Sequence, residues 1–363
     1  MSIELKFNES LKQYKRISYV KAEDDSNYEI VLDCSLGINP FGYSDKVKEF
    51  EQNSKFDANP YPAYPYNELK NAIASYWNVD SKCIRVYGGG SVVALDTVTR
   101  VFVSSGKKVL GFMPQFTEFA AGVLPFGGEY ITPRLSEKDN CRFTAEVLCD
   151  NMTEEYALAY IDNPNNPTGQ VIPLAEIEKV LAKAQALGVA VIVDEAYGDF
   201  ITKEESAMGL LGKYTNLIVI RSFSKGYGLA GLRVGYVVCS EEIISYCDKI
   251  SAPFTVTPNA AAVCEEALKY EDFLTYTREK MVTLKQKFID SVKGFTCLET
   301  DMRVPILAMV DAQGRDLYTL LRKHGINTEA GPDVGLEKNA VRLRIPEDVD
   351  KLIEILGGIT NLA

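Results

Sequence analysis

The chain has 363 residues, 46% hydrophobic and 25% charged, a balance that supplies core for two or three domains. A formal net charge of −11 argues against nucleic acid or an anionic membrane as partner, while leaving room for an anionic substrate in a locally basic pocket. No apolar run reaches the roughly 20 residues that span a bilayer, and the opening MSIELKFNESLKQYKR has no apolar signal-peptide core, so a cytoplasmic protein is expected.

Residues 1–30 read as polar and partly helical, followed by a short strand from Ile30 that ends in the turn Gly37-Ile38-Asn39-Pro40. From about residue 67, helix and strand signals alternate. Val92, Leu95, Val98 and Phe102 recur at helical spacing after Gly88-Gly89-Gly90-Ser91. Strands are expected at 108–113, 157–162, 189–194, 217–221 and 233–239. A helix is expected at 173–186, with Pro173 at its start and Gly188 at its stop. Val189-Ala190-Val191-Ile192-Val193 is apolar on both faces, as a buried parallel strand is. This alternation predicts an α/β core with a mostly parallel, doubly wound sheet. After residue 255 a long helix (259 to about 291), strands at 304–310 and 340–345, and helices at 316–324 and 348–356 predict a smaller α+β unit. The expected division is an arm and part of the small domain at 1–45, a large domain at 46–255, and the rest of the small domain at 256–363.

Eight cysteines without CxxC spacing read as reduced thiols, and the single histidine, His324, sits at a helix end. No metal site is expected.

Ligands of α/β sheets lie at the carboxyl ends of the strands. The residues there are Asn163–Gly169 (NPNNPTG), Asp194-Glu195-Ala196-Tyr197 and Ser222-Phe223-Ser224-Lys225, with Gly90 and Ser91 opening a helix. Together they suit pyridoxal phosphate. Lys225 offers an amine to the aldehyde, and Asp194 a carboxylate to the protonated ring nitrogen. Asn166 and Tyr197 offer donors to the ring oxygen. Ser222, Ser224, Arg233 and the amides of Gly90, Ser91 and Val92 suit the phosphate.

Residues 222–236, SFSKGYGLAGLRVGY, resemble the lysine motif of the class I/II aminotransferases, fold type I pyridoxal-phosphate enzymes with a three-layer large domain. NPNNPTG and DEAY resemble two further motifs of that family, and the likeness runs from about residue 30 to the C-terminus. It is nearest to the histidinol-phosphate aminotransferase and threonine-phosphate decarboxylase branches. The resemblance implies that Phe116 stacks on the cofactor ring and that Ile38 and Asn39 contact substrate. It also implies that Tyr61, in Asn59-Pro60-Tyr61-Pro62, reaches the cofactor of a second subunit in a homodimer. Arg342 aligns with the arginine that binds the substrate carboxylate; Arg344 is the alternative. Ser35–Gly42 (SLGINPFG) is closer to the decarboxylase element, although Gly37 replaces an asparagine of that pattern. The expected activity is transamination between an amino acid, or an amino-acid-like phosphate, and a 2-oxo acid. Decarboxylation is the alternative. A regulatory domain sensing the cofactor is disfavoured, because no basic DNA-binding stretch precedes residue 30.

Overall fold

The structure is a computed structural model and describes residues 5–16 and 28–361. Part of the expected N-terminal helical stretch lies outside the described residues; within them a helix forms at Glu9–Gln13. The strands are β1 (Leu32–Asp33), β2 (Ile84–Gly88), β3 (Lys108–Leu110), β4 (Glu129–Ile131), β5 (Tyr156–Asp162), β6 (Ala190–Asp194), β7 (Leu217–Ser222) and β8 (Val234–Val238). They continue with β9 (Phe295–Cys297), β10 (Ile306–Asp311), β11 (Ile326–Asn327), β12 (Glu329–Ala330) and β13 (Ala340–Arg344).

Seven strands form one sheet in the order β2-β8-β7-β6-β5-β3-β4. All of its pairings are parallel except those of β8, which runs against both β2 and β7. Side chains of a strand alternate between its faces, and both faces here are covered. Ala159, Ile161, Val191, Val193 and Val219 enter one core, while Leu158, Tyr160, Ile192, Ile218 and Ile220 enter the other. Each fully buried Val, Leu or Ile contributes roughly 1.5–3 kcal/mol, which explains why β5 to β7 read as continuous apolar runs. The expected α/β class with a mostly parallel sheet is the observed one.

Three helices matter most for the site: α1 (Ser91–Phe102), α2 (Leu174–Leu187) and α3 (Glu271–Ser291). Pro173 and Gly188 flank α2, Gly188 closing it in the left-handed conformation. The long helix expected from residue 259 is two helices, Pro258–Ala267 and α3. The first packs Ala260, Val263 and Cys264 into a core of the seven-stranded sheet. The second directs Met281 and Phe288 at a separate core built on the four-stranded antiparallel sheet β12-β13-β10-β9. Two serving segments meet there: β1 pairs in parallel with β11, and the Arg344 amide donates to the Cys34 carbonyl at 2.9 Å.

Lys285 of α3 anchors the segment that leads into β10. Its buried ammonium donates to Thr300 Oγ1 and the carbonyls of Asp301, Val304 and Ile306 at 2.7–3.0 Å. The Asp301 amide in turn donates to the Gly169 carbonyl at 3.0 Å. Gly169 has φ 72°, and a Cβ there would lie 2.1 Å from the Ile306 carbonyl oxygen, so only glycine permits this approach. Among the described residues no helix is long and apolar enough to cross a membrane.

Candidate active site

A cavity of about 320 Å³ opens at the carboxyl ends of β5, β6 and β7. Its walls include Asn166, Asp194, Tyr197, Ser222, Ser224, Lys225, Arg233, Ser91, Val92, Phe116, Ile38 and Arg342. Residues spread over three hundred positions of sequence therefore converge, as strands that end on one edge of the sheet require.

One end of the cavity suits a phosphate. The Gly89 and Gly90 amides donate to the Arg233 carbonyl at 2.7 and 2.9 Å, and Arg233 Nη2 returns a bond to the Gly89 carbonyl at 2.9 Å. Gly90 has φ 81°, and a Cβ on it would come within 2.8 Å of the Arg233 guanidinium. The turn thus needs glycine, and it aims the N-terminus of the twelve-residue α1 at the cavity. Ser222 Oγ and Ser224 Oγ stand 2.8 Å apart beside it.

Lys225 is partly buried on the cavity wall. Burial, reinforced by the charges of Arg342 and Arg233, pushes its ammonium down to about 8, against the pull of Asp194 and Glu329. Asp194 ends β6, and its carboxylate accepts from Tyr160 Oη at 3.0 Å and from the Ala196 amide at 2.9 Å. Burial pushes its carboxyl up to about 6. A protonated ring nitrogen beside it would offset that cost, which is the match expected of pyridoxal phosphate. Tyr160 is itself fixed by stacking on Phe119, ring centroids 3.8 Å apart.

A second carboxylate, which the motifs do not reveal, lies beside the first. Asp162 ends β5 in register with Asp194. It accepts from the amides of Phe116 and Asn166 and from Asn165 Nδ2, all at 3.0–3.1 Å. Burial, with Asp194 adding to it, pushes Asp162 up to about 7 although these bonds oppose the rise. One side chain therefore holds both the ring-stacking candidate and the amide candidate.

Arg342 lies on β13 and bridges the two sheets. Its Nη1 donates to Asn166 Oδ1 at 3.0 Å, its Nη2 donates to the Ser35 carbonyl at 2.6 Å, and Glu329 Oε1 lies 3.3 Å from Nη2. Arg344, two residues on, turns to the Asp33 carbonyl and is not on the cavity wall. Asn39 also stands off the wall. Its Nδ2 donates to the Gly226 carbonyl at 2.7 Å and its Oδ1 accepts from the Phe41 amide at 2.9 Å, so it shapes the 35–42 turn. Leu36 and Gly37 line the cavity instead. A Cβ on Gly37 would fall 1.7 Å from Tyr197 Oη, so this turn closes directly over the tyrosine ring. Tyr61 is 82% exposed, outside this cavity, and packs on Phe254 with ring centroids 5.1 Å apart.

An amine of lowered pKa opposite a buried carboxylate, with an anion cup between them, defines a pyridoxal-phosphate enzyme on a three-layer α/β scaffold. The chain belongs to the family aminotransferase class I and II, whose model matches residues 29–356. It is a pyridoxal-phosphate-dependent aminotransferase. It is 35% identical over 338 residues to histidinol-phosphate aminotransferase 1 of Mannheimia succiniciproducens, covering 92% of this chain and 90% of that protein. The histidinol-phosphate aminotransferase of Methanococcus maripaludis is 27% identical, with 99% and 100% covered. Two solved structures share the fold. Histidinol-phosphate aminotransferase from Sinorhizobium meliloti in complex with pyridoxal-5'-phosphate superposes with a TM-score of 0.84 at 24% identity over all of both chains. L-threonine-O-3-phosphate decarboxylase from Porphyromonas gingivalis gives 0.78 at 20% identity, covering 92% of this chain and 99% of that one.

Proposed function

We propose that the enzyme passes an amino group between an α-amino acid and a 2-oxo acid, with Lys225 as cofactor anchor and proton carrier. The observation that carries this reading is a partly buried lysine, held near pKa 8, in one cavity with Asp194 and Arg342. Pyridoxal phosphate, when bound, supplies a ring that accepts the electron pair released at the substrate's α-carbon. Asp194 keeps a proton on the ring nitrogen. Asn166 and Tyr197 would hold the ring oxygen, and Phe116 would pack against the ring. Gly90, Ser91, Val92, Ser222, Ser224 and Arg233 hold the phosphate. Arg342 takes the substrate carboxylate, since a planar guanidinium matches it bidentately. With substrate bound, the freed Lys225 amine would serve as the general base that carries the α-proton.

We further propose that the enzyme works as a homodimer. Tyr61, Tyr64 and Phe254 form an exposed aromatic cluster whose neighbouring rings lie 5.1–5.6 Å apart, suited to cover by a second copy that Tyr61 would then enter. The same reading keeps residues 1–45 with 256–363 in a small domain against a large domain of 46–255.

The test is to mix the cofactor-loaded enzyme with L-glutamate and a panel of other amino donors. Conversion of the cofactor spectrum to that of its amine form, with no CO₂ evolved, is expected. CO₂ release without that conversion would favour decarboxylation.

A further inference from the structure

Glu329 is a buried acid behind the cavity wall, against Arg342, that the reaction itself does not use. It sits on β12 directly opposite Arg342 in the antiparallel register, and its carboxylate lies 3.3 Å from the Arg342 guanidinium. Both side chains are almost wholly removed from water. A guanidinium held between Glu329, the Asn166 amide oxygen and the Ser35 carbonyl is well oriented, but much of its charge is already answered.

The cavity's other cations are committed elsewhere. Arg233 belongs to the Gly89–Ser91 turn and to the phosphate cup, and Lys225 carries the cofactor. Among the described residues, the wall beside Arg342 adds Asn166 and the 36–38 turn, which bring no charge. An anion docking on Arg342 therefore meets one shared guanidinium and a carboxylate a few ångströms behind it. Glu329 cancels much of the Arg342 field, so a dianion gains little more attraction there than a monoanion does, while stripping its water costs more.

We propose that Glu329 sets the charge accepted at Arg342: the site takes a donor presenting a single carboxylate there and discriminates against one presenting a dianionic phosphate. This rests on placing the substrate's anionic group on Arg342. Glu329 is a positioning and specificity residue, acting through Arg342 rather than on the reacting atoms. On this reading a phosphorylated donor, of the kind the relatives' names carry, is disfavoured at Arg342.

The experiment titrates cofactor-loaded enzyme with acetate and, separately, with inorganic phosphate at a pH where it is largely dianionic, following the cofactor's absorbance. Wild type is expected to bind acetate more tightly. Glu329→Gln, which retains shape and hydrogen bonding, should tighten phosphate of order tenfold more than it tightens acetate. Glu329→Asp, which keeps the charge, should hold the wild-type ratio. In catalysis, Glu329→Gln should raise kcat/KM for L-histidinol phosphate relative to L-phenylalanine by a similar factor. Phosphate binding wild type as tightly as acetate, or equal shifts of both anions in Glu329→Gln, overturns the proposal. Anion binding needs no turnover, so a failure here is distinct from the outcome in which no donor converts the cofactor.

Discussion

A lysine attacks an aldehyde only as the free amine, so whatever disfavours its charge speeds cofactor capture. With a pKa near 8, roughly a tenth of Lys225 is neutral at pH 7, against well under a thousandth for an ordinary lysine near 10.4. The rate at which cofactor-free protein takes up pyridoxal phosphate should therefore rise as pH increases through about 8 and level off above it. Stopped-flow absorbance would record the midpoint. A midpoint above 10 would show that the lysine is not held as described. Lys225→Ala should lose both the absorbance of lysine-bound cofactor and all turnover; retained absorbance would remove Lys225 from its assigned role.

Asp162 shows how the ends of two elements are locked by one side chain. It binds the amide that begins the Phe116 segment and two groups of the NPNNPTG loop, so its removal strands three N–H donors at once. Asp162→Ala should cost about 2 kcal/mol of stability and weaken cofactor binding about tenfold, read by denaturant unfolding and by absorbance after dialysis. Unchanged cofactor affinity would confine Asp162 to folding. Lys285 plays the corresponding part between α3 and the segment before β10. Lys285→Met leaves three buried carbonyls and a hydroxyl without their donor, an expected loss of about 3 kcal/mol in urea melts.

These two residues also mark where sequence stops being legible. Strands β5, β6 and β7 announce themselves because burial on both faces demands unbroken apolar runs, and the polar groups at their ends stand out against them. β4 and β12, three and two residues long, are too short for any periodicity to register. The helix break at 268–270 falls between two segments that are each helical in pattern. Asp162 looks like an ordinary strand end, and its work is visible only once the 116 segment folds beside it. Glu329 acquires meaning solely from its register opposite Arg342. Asn39 is a different case: its motif suggests a substrate contact, while its side-chain amide is engaged within the protein, by the nearby Phe41 amide and the distant Gly226 carbonyl.

For the molecule as a whole, the exposed Tyr61–Phe254–Tyr64 cluster makes association the central test. Light scattering is expected to give about twice the 40.3 kDa chain mass, and Tyr61→Ala should reduce cofactor retention without altering that mass. A monomeric mass with full activity would remove Tyr61 from a shared site.

The order in which the chain delivers the cavity wall has a consequence for descent and for engineering. Apart from Tyr61, the residues proposed to hold the cofactor fall between Gly90 and Arg233, on one sheet and its connections. The residues proposed for the substrate's anionic group come from outside that span, Leu36 to Ile38 on one side and Arg342, backed by Glu329, on the other, united by β1 beside β11 and by the Arg344–Cys34 bond. Cofactor capture and substrate choice are thus written in separate stretches of the chain. A lineage can exchange its donor by changing the flanks while the middle stays under constant selection, and a chimera built at those two junctions would inherit its specificity from one parent and its cofactor chemistry from the other.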